Sequence, residues 1–193
     1  MASPFRFGAA LALPFLLLAC AESDVPAAGE IQLNEAFEAE FDLVDHHGEP
    51  ATDERFEGEP MLIYFGFTSC PDVCPAALGV MTATLDELGG DADKLQPLFI
   101  TVDPERDTPE RLRNHLAFDQ RILGLTGEED AVANARDSMR VFAAKAPLEG
   151  SAAGYTMDHQ SMFFLTDKEG NPIKAFRDDV PPETLASRIR VHL

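Results

Sequence analysis

Two cysteines four residues apart, Cys70 and Cys74, are the side chains best placed for chemistry in this sequence. They follow the apolar run 61–65, which predicts a buried strand, and a predicted helix continues from Ala76. A helix N-terminus offers unpaired N–H groups and a positive dipole end, and both stabilise a thiolate. Two thiols at i and i+4 can form a disulfide or bind one soft metal ion. We therefore expect a redox or metal-binding pair, with a purely structural disulfide as the alternative.

Alternating strands and helices surround this pair. Apolar periodicity, caps and turn residues predict strands at 61–67, 98–102, 122–125, 161–166 and 173–176, helices at 74–88, 108–118, 128–144 and 181–193, and an N-terminal hairpin of strands 40–44 and 51–56. This order predicts an α/β fold, a three-layer sandwich with a central mixed sheet and helices on both faces. A dithiol at the first long strand-to-helix turn, followed later by a hairpin and a helix, is the thioredoxin arrangement. The N-terminal hairpin is extra to it.

A histidine later in the chain can complete a metal site. His159 lies in segment 155–160, directly before the predicted strand 161–166. In a thioredoxin-like fold the loop before that strand faces the dithiol turn, so we expect His159 to approach Cys70 and Cys74. Two thiolates and one imidazole suit Cu(I), and the nitrogen lets the same ligands hold Cu(II), whereas structural zinc normally takes four ligands. The alternative is a loop histidine that caps a backbone group.

The composition limits the classes of partner. The chain has 193 residues, enough for one domain with a hydrophobic core, and 45% of them are apolar, which argues against disorder. It has 34 acidic against 15 basic residues and no basic stripe for phosphate contacts. We therefore expect no nucleic-acid partner, and a surface suited to water or to a basic protein.

The first twenty residues predict export and lipid attachment. Arg6 precedes the apolar run 7–19, which is too short for a spanning helix but typical of a signal peptide. The run ends Leu-Leu-Ala-Cys at Cys20, which resembles the bacterial lipobox, where the peptide is cut before a lipid-bearing cysteine. We predict a signal peptide over 1–19, lipidation of Cys20, a flexible tether over 20–34 and the folded domain over 35–193. An ordinary signal peptide, or an uncleaved short anchor, is the alternative.

This segment also sets the expected compartment. A lipid on Cys20 would hold the domain on a membrane of the bacterial cell envelope, facing the periplasm, with the inner membrane favoured over the outer. Lipidation uses one of the three cysteines and leaves Cys70 and Cys74 as an even pair. An oxidising compartment means that the pair needs a reductant, such as a thioredoxin-like protein, in order to act as thiols.

The chain resembles the Sco/SenC family in three ordered segments. These are residues 65–75 around the cysteines, 102–109 (Val-Asp-Pro-Glu-Arg-Asp-Thr-Pro) and 155–159. The resemblance extends from about residue 35 to the end. Members of the family are thioredoxin-like, membrane-tethered copper proteins that help to assemble the binuclear copper centre of cytochrome c oxidase. The sequence departs from the family pattern at Gln160, where a small hydroxyl residue is expected, and in its lipobox, where many members carry a spanning anchor.

The resemblance implies roles for individual residues. Cys70, Cys74 and His159 would be the copper ligands, and the two cysteines would also form a redox-active disulfide. Asp158 would orient the imidazole or tune the charge of the site. Segment 103–109 is expected to be mostly turn and cap structure that shapes the loop beside the site. The implied partner is the copper-receiving subunit of cytochrome c oxidase.

Three functions compete for these residues. The first, which the resemblance implies, is a copper chaperone that is not an enzyme. The second is a metal-free thiol–disulfide oxidoreductase that keeps the cysteines of the oxidase subunit reduced. A peroxidase is disfavoured because Thr68 lies two residues before Cys70, whereas a peroxidatic cysteine has its threonine three residues before it. His159 separates the first two functions, because a reductase needs only the dithiol.

Overall fold

The computed structural model describes residues 29–193. The predicted signal peptide, the lipidation site Cys20 and most of the predicted tether lie outside these described residues. Within residues 29–193, no helix combines the length and the apolar character that a membrane crossing requires.

Ten strands and four α-helices make up the described part of the chain. The strands are β1 (Glu30–Gln32), β2 (Asp42–Asp45), β3 (Pro50–Thr52), β4 (Met61–Gly66), β5 (Gln96–Thr101), β6 (Leu123–Thr126), β7 (Ala143–Pro147), β8 (Tyr155–His159), β9 (Met162–Thr166) and β10 (Pro172–Arg177). The helices are α1 (Val73–Leu88), α2 (Pro109–His115), α3 (Glu129–Ser138) and α4 (Pro182–Arg190), with short 3₁₀ helices at Asp53–Phe56 and Gly89–Lys94.

Eight of the strands form one mixed sheet in the order β1-β10-β9-β4-β5-β6-β2-β3. The central strand β4 runs parallel to β5 and antiparallel to β9. All six residues of β4 are buried, which requires cover on both faces of the sheet. Helix α1 packs against α4, and α2 packs against β6. The predicted α/β fold with a central mixed sheet is therefore confirmed.

The N-terminal hairpin is also confirmed, with shorter strands than predicted. Strands β2 and β3 pair around a turn in which the Asp45 carboxylate accepts the backbone N–H groups of His47 and Glu49 at 2.8 and 3.0 Å. Asp45 also binds Arg55 at 2.9 Å. Residues 53–56 form a 3₁₀ helix rather than the end of a strand. Because β2 also pairs with β6, the hairpin extends one edge of the main sheet.

The largest difference from prediction lies between α3 and β9. The helix predicted over 128–144 ends at Ser138, since Arg140 adopts a positive φ of 55° that an α-helix cannot contain. The chain then forms β7, which pairs with β8 in a separate two-stranded sheet. Segment 155–159, expected as a loop, is therefore a strand with His159 as its last residue, opposite Ala143.

The ordered domain also begins earlier than predicted. The tether was expected to reach residue 34, but Glu30–Gln32 forms β1 and pairs with β10. An ion pair buried beneath this strand joins Glu30 to Lys174 at 2.8 Å. Strand pairing and this ion pair together hold β1 on the edge of the sheet.

Candidate metal centre

The two cysteines lie where β4 passes into α1. Cys70 is in the connecting loop and is half-buried, whereas Cys74 is in the first turn of the helix and is fully buried. The backbone N–H of Cys74 donates to Cys70 Sγ at 3.4 Å. The first N–H groups of a helix have no partner within the helix, so the sulfur satisfies one of them. Both cysteines are free thiols in the structure.

His159 faces the buried cysteine, as the sequence predicted. Its Nε2 lies 3.7 Å from Cys74 Sγ. Its Nδ1 lies 3.0 Å from the carbonyl oxygen of Gln160, and because a carbonyl can only accept, Nδ1 must carry the proton. When the ring is neutral, the Nε2 lone pair is directed at the sulfur, in the tautomer and orientation that a metal-binding histidine needs.

Burial dominates the electrostatics of this pair. It lowers the pKa of His159, which favours the neutral imidazole that can bind a metal. It raises the pKa of the Cys74 thiol to about 12, which favours the protonated form. The expected thiolate at the helix N-terminus is therefore not favoured at Cys74, where the loss of solvation has the largest effect on the pKa. A metal that binds Cys74 must displace its proton.

Aromatic rings enclose the imidazole. Tyr64 and Phe67 present near-perpendicular rings to His159, with centroids 6.5 and 5.7 Å from its own. The Tyr64 hydroxyl lies 2.7 Å from Ser161 Oγ, and it lowers the pKa of Cys74 against the larger effect of burial. Ser161 in turn donates to Asp178 at 2.7 Å. Hydrogen bonds thus link Tyr64 through Ser161 to a partly exposed carboxylate.

Asp158 does not have the orienting role that the resemblance implied. It is exposed, and neighbouring side chains of a strand project to opposite sides, so it projects away from the side on which His159 meets Cys74. The carbonyl of Gln160 holds the ring instead. The charge of Asp158 remains close enough to raise the pKa of His159 slightly against the larger effect of burial.

Asp107, which the sequence did not single out by itself, holds the loop that leads to Cys70. This carboxylate is fully buried. It accepts the backbone N–H and the hydroxyl of Thr68 at 2.9 and 2.6 Å, and the hydroxyl of Thr101 at 2.7 Å. Arg111 then donates to the hydroxyls of Thr68 and Ser69 at 2.8 and 2.7 Å. The expectation that segment 103–109 shapes the cysteine loop agrees with these contacts.

The same segment also holds the hairpin that carries His159. The Asp103 carboxylate, also buried, accepts the hydroxyl of Tyr155 at 2.8 Å and pairs with Arg106. The Arg106 guanidinium lies 3.8 Å from the centroid of the Tyr155 ring and donates to its carbonyl at 3.0 Å. Thr101 links the hydrogen bonds of Asp107 to those of Asp103, because its hydroxyl donates to the Asp107 carboxylate and accepts the N–H of Asp103. One loop therefore positions both the thiol and the imidazole sides of the site.

The side chains of the three predicted ligands do not all meet at one point in the structure. Among residues 29–193, no three side chains of His, Cys, Asp or Glu are gathered closely enough to form a complete metal-binding set. The contact between Cys74 and His159 is in place, whereas Cys70 Sγ is turned towards the N–H of Cys74. Their donor types, two sulfurs and one imidazole nitrogen, are those that suit copper.

The fold and this centre define a thioredoxin-like protein in which a dithiol at the β4–α1 turn meets a histidine on an added hairpin. The SCO1/SenC family model matches residues 29–193, and the chain belongs to this family. The SCO2-like protein RC0895 of Rickettsia conorii is 36% identical over 180 residues, covering 91% of this chain and 88% of that protein. The predicted family is thereby confirmed.

Solved structures of relatives share the fold. Bradyrhizobium japonicum ScoI, solved with copper bound, is 40% identical, with a TM-score of 0.75 over 82% of this chain and 100% of that chain. Yeast Sco1 with copper bound is 36% identical, with a TM-score of 0.74 over 81% of this chain and 88% of that chain.

Proposed function

We propose that this protein binds copper through Cys70, Cys74 and His159 and delivers it to the binuclear copper centre of cytochrome c oxidase. The Sco family is one of cytochrome c oxidase assembly proteins, and relatives have been solved with copper bound. The observation that carries the proposal for this chain is the 3.7 Å contact between His159 Nε2 and Cys74 Sγ, with Nδ1 bound to a carbonyl. A metal-free reductase has no need of an imidazole aimed at its buried sulfur.

Copper loading changes the centre in two ways. Cys70 Sγ leaves the N–H of Cys74 and turns towards His159, which completes a set of two sulfurs and one nitrogen. The thiol protons are released as the metal binds, so loading becomes more favourable as the pH rises. A Cys70–Cys74 disulfide cannot bind copper, and a reductant such as a thioredoxin-like protein must open it first.

Burial divides the work between the ligands. Cys74 and His159 lie inside the aromatic enclosure, whereas Cys70 is half-exposed on the loop. An acceptor can therefore reach Cys70 first and exchange its own sulfur or nitrogen ligands for those of this protein one at a time. The protein is a binding and transfer factor rather than an enzyme.

The proposed location is the periplasmic side of the bacterial inner membrane. The lipobox that ends at Cys20 supports a lipid anchor there. Two or more acyl chains give stable membrane attachment. The acidic charge of the chain, with 34 acidic against 15 basic residues, favours an acceptor with a basic face.

The test compares His159→Ala with Asp158→Asn in the reduced protein. His159→Ala removes the only nitrogen ligand, so we expect weaker Cu(I) binding and loss of the Cu(II) thiolate–imidazole absorption. Asp158→Asn changes an exposed neighbour that does not face the site, and it should keep both. In cells, only the first variant should lower oxidase activity, with partial rescue by added copper. Parental copper binding and full oxidase assembly in His159→Ala would contradict the proposal.

The second candidate is a metal-free thiol–disulfide oxidoreductase. The half-exposed Cys70 beside the buried Cys74 favours it, because this asymmetry suits an attacking and a resolving thiol. This function predicts that His159→Ala still supports oxidase assembly, whereas Cys70→Ser does not. The two functions are therefore separated by the same pair of assays.

A further inference from the structure

The point at which the chain enters the folded domain is fixed. The carbonyl of Gly29 accepts the backbone N–H of Arg177 at 3.2 Å, and β1 continues along β10 with Glu30 opposite Phe176. The side chain of Glu30 is 4% exposed and binds Lys174 at 2.8 Å. Gly29 is therefore held against the last residue of β10.

This entry point lies at the same end of the sheet as the metal centre. Arg177 at the end of β10 pairs with Met162 at the start of β9, and His159 comes just before that strand. β9 pairs antiparallel with β4, so the start of β9 lies beside the C-terminal end of β4, which leads to the cysteines. Counted across the sheet, β1 is two strands from β9 and three from β4, or about 10 and 14 Å.

Few residues separate this point from the proposed lipid. Residues 21–28, eight in all, lie between Cys20 and Gly29. Even a fully extended chain of that length spans no more than about 30 Å. An uncleaved anchor that ended at residue 19 would leave almost the same span. Whichever form of attachment is used, covalent geometry keeps Gly29 within about 30 Å of the membrane anchor.

We infer that the metal centre faces the membrane, so that copper is handed over in the layer between the domain and the bilayer. This inference rests on the proposed attachment at Cys20 and adds the direction in which the site points. The acceptor's own copper ligands must lie in a layer close to the bilayer surface. A carrier diffusing freely in the periplasm would meet the site only by entering the gap between domain and membrane.

The test measures the distance of each end of the domain from the bilayer by energy transfer. The full chain, in vesicles of phosphatidylethanolamine and phosphatidylglycerol with a headgroup acceptor dye, carries one donor dye in a Cys70→Ser, Cys74→Ser background. Phe142→Cys labels the site end, since Phe142 is 60% exposed and its carbonyl binds the N–H of Gln160. Glu169→Cys labels the exposed turn at the other end of β9, at least about 14 Å farther along the strand.

We expect stronger transfer from the Phe142→Cys label than from the Glu169→Cys label. A matched pair carries twenty Gly and Ser residues inserted between Ala27 and Ala28, a flexible segment of about 25 Å root-mean-square length, and its two labels should give nearly equal transfer. Equal transfer without the insertion, or stronger transfer from Glu169→Cys, would overturn the inference while leaving the attachment intact. Failure of the parent chain to bind vesicles would overturn the attachment and the inference together.

Discussion

Replacing Asp107 by Asn tests how strongly the buried carboxylate holds the cysteine loop. One oxygen of Asp107 accepts the Thr68 N–H and the Thr101 hydroxyl, and the other accepts the Thr68 hydroxyl at 2.6 Å. The amide keeps one acceptor oxygen but has an NH₂ group in place of the oxygen that faces the Thr68 hydroxyl. That hydroxyl already accepts a hydrogen bond from Arg111. The Thr68 hydroxyl proton is then left without its partner.

The magnitude follows from these bonds. A buried hydrogen bond to a charged group contributes about 2 kcal/mol, and the two that remain weaken when the acceptor becomes neutral. We expect Asp107→Asn to lower the free energy of unfolding by about 3 kcal/mol. The loop of the variant is less firmly held, so copper binding must also order it. Each 1.4 kcal/mol of binding free energy used for this ordering lowers the affinity for copper about tenfold.

The assay pairs urea unfolding of the reduced apoprotein with competition for Cu(I) by a chelator. The matched control is Glu105→Gln in the same segment, because Glu105 is exposed and pairs with the exposed Lys145 at the surface. We expect about tenfold weaker copper binding in Asp107→Asn and no measurable change in the control. A destabilised Asp107→Asn variant with parental copper affinity would refute the positioning role.

Three further results are expected. Because burial lowers the pKa of His159 below its ordinary 6.5, the unfolded chain binds the proton more tightly, so apoprotein stability falls as the pH drops below about 6.5. Urea titrations should show a smaller acid loss in His159→Ala, and an equal loss would contradict this. Tyr64→Phe removes the buried hydroxyl that donates to Ser161 and should lower the free energy of unfolding by about 1 kcal/mol in urea titrations. An unchanged stability would show that this hydrogen bond does not contribute to the fold. Glu30→Gln removes the counter-charge of the buried Lys174 and of Arg188, which lies 3.4 Å from the second carboxylate oxygen, and should cost about 3 kcal/mol in urea unfolding. Adding Lys174→Met should recover most of this loss, and failure to recover would mean that the buried Lys174 charge is not its main cause.

The features that the sequence predicted well are local ones. The apolar run 61–65 has no polar interruption, which is typical of a strand covered on both faces, and β4 is buried throughout. The helix after Thr108 was expected because Thr caps and Pro begins helices, and the Thr108 side chain accepts the N–H of Arg111. Strong patterns within a few residues therefore set most of the element order.

The hairpin of β7 and β8 was missed because its cause is not local. Segment 143–147 contains three alanines and a lysine, good helix formers that continue the pattern of α3. Its strand conformation comes from pairing with β8, after α3 has ended at the positive φ of Arg140. Helical periodicity carries no information about a strand partner some twelve residues away.

The sequence predicted candidate ligands for the centre but not its electrostatics. Cys70, Cys74 and His159 stood out by type and position, and the structure places His159 against Cys74. The protonated state of Cys74 follows from its burial, which spacing does not reveal. The role of Asp107 was missed because it depends on a contact that is distant in sequence: Asp107 and Thr68 are 39 positions apart.

X-ray absorption of the copper-loaded, reduced protein tests the central claim most directly. The structure predicts that one Cu(I) per chain is bound by two sulfurs and one imidazole nitrogen, with the nitrogen lost in His159→Ala and one sulfur lost in Cys70→Ser. The Asp158→Asn variant should give the parental spectrum. A copper shell with no imidazole nitrogen in the parent chain, or one that His159→Ala leaves unchanged, would contradict the account.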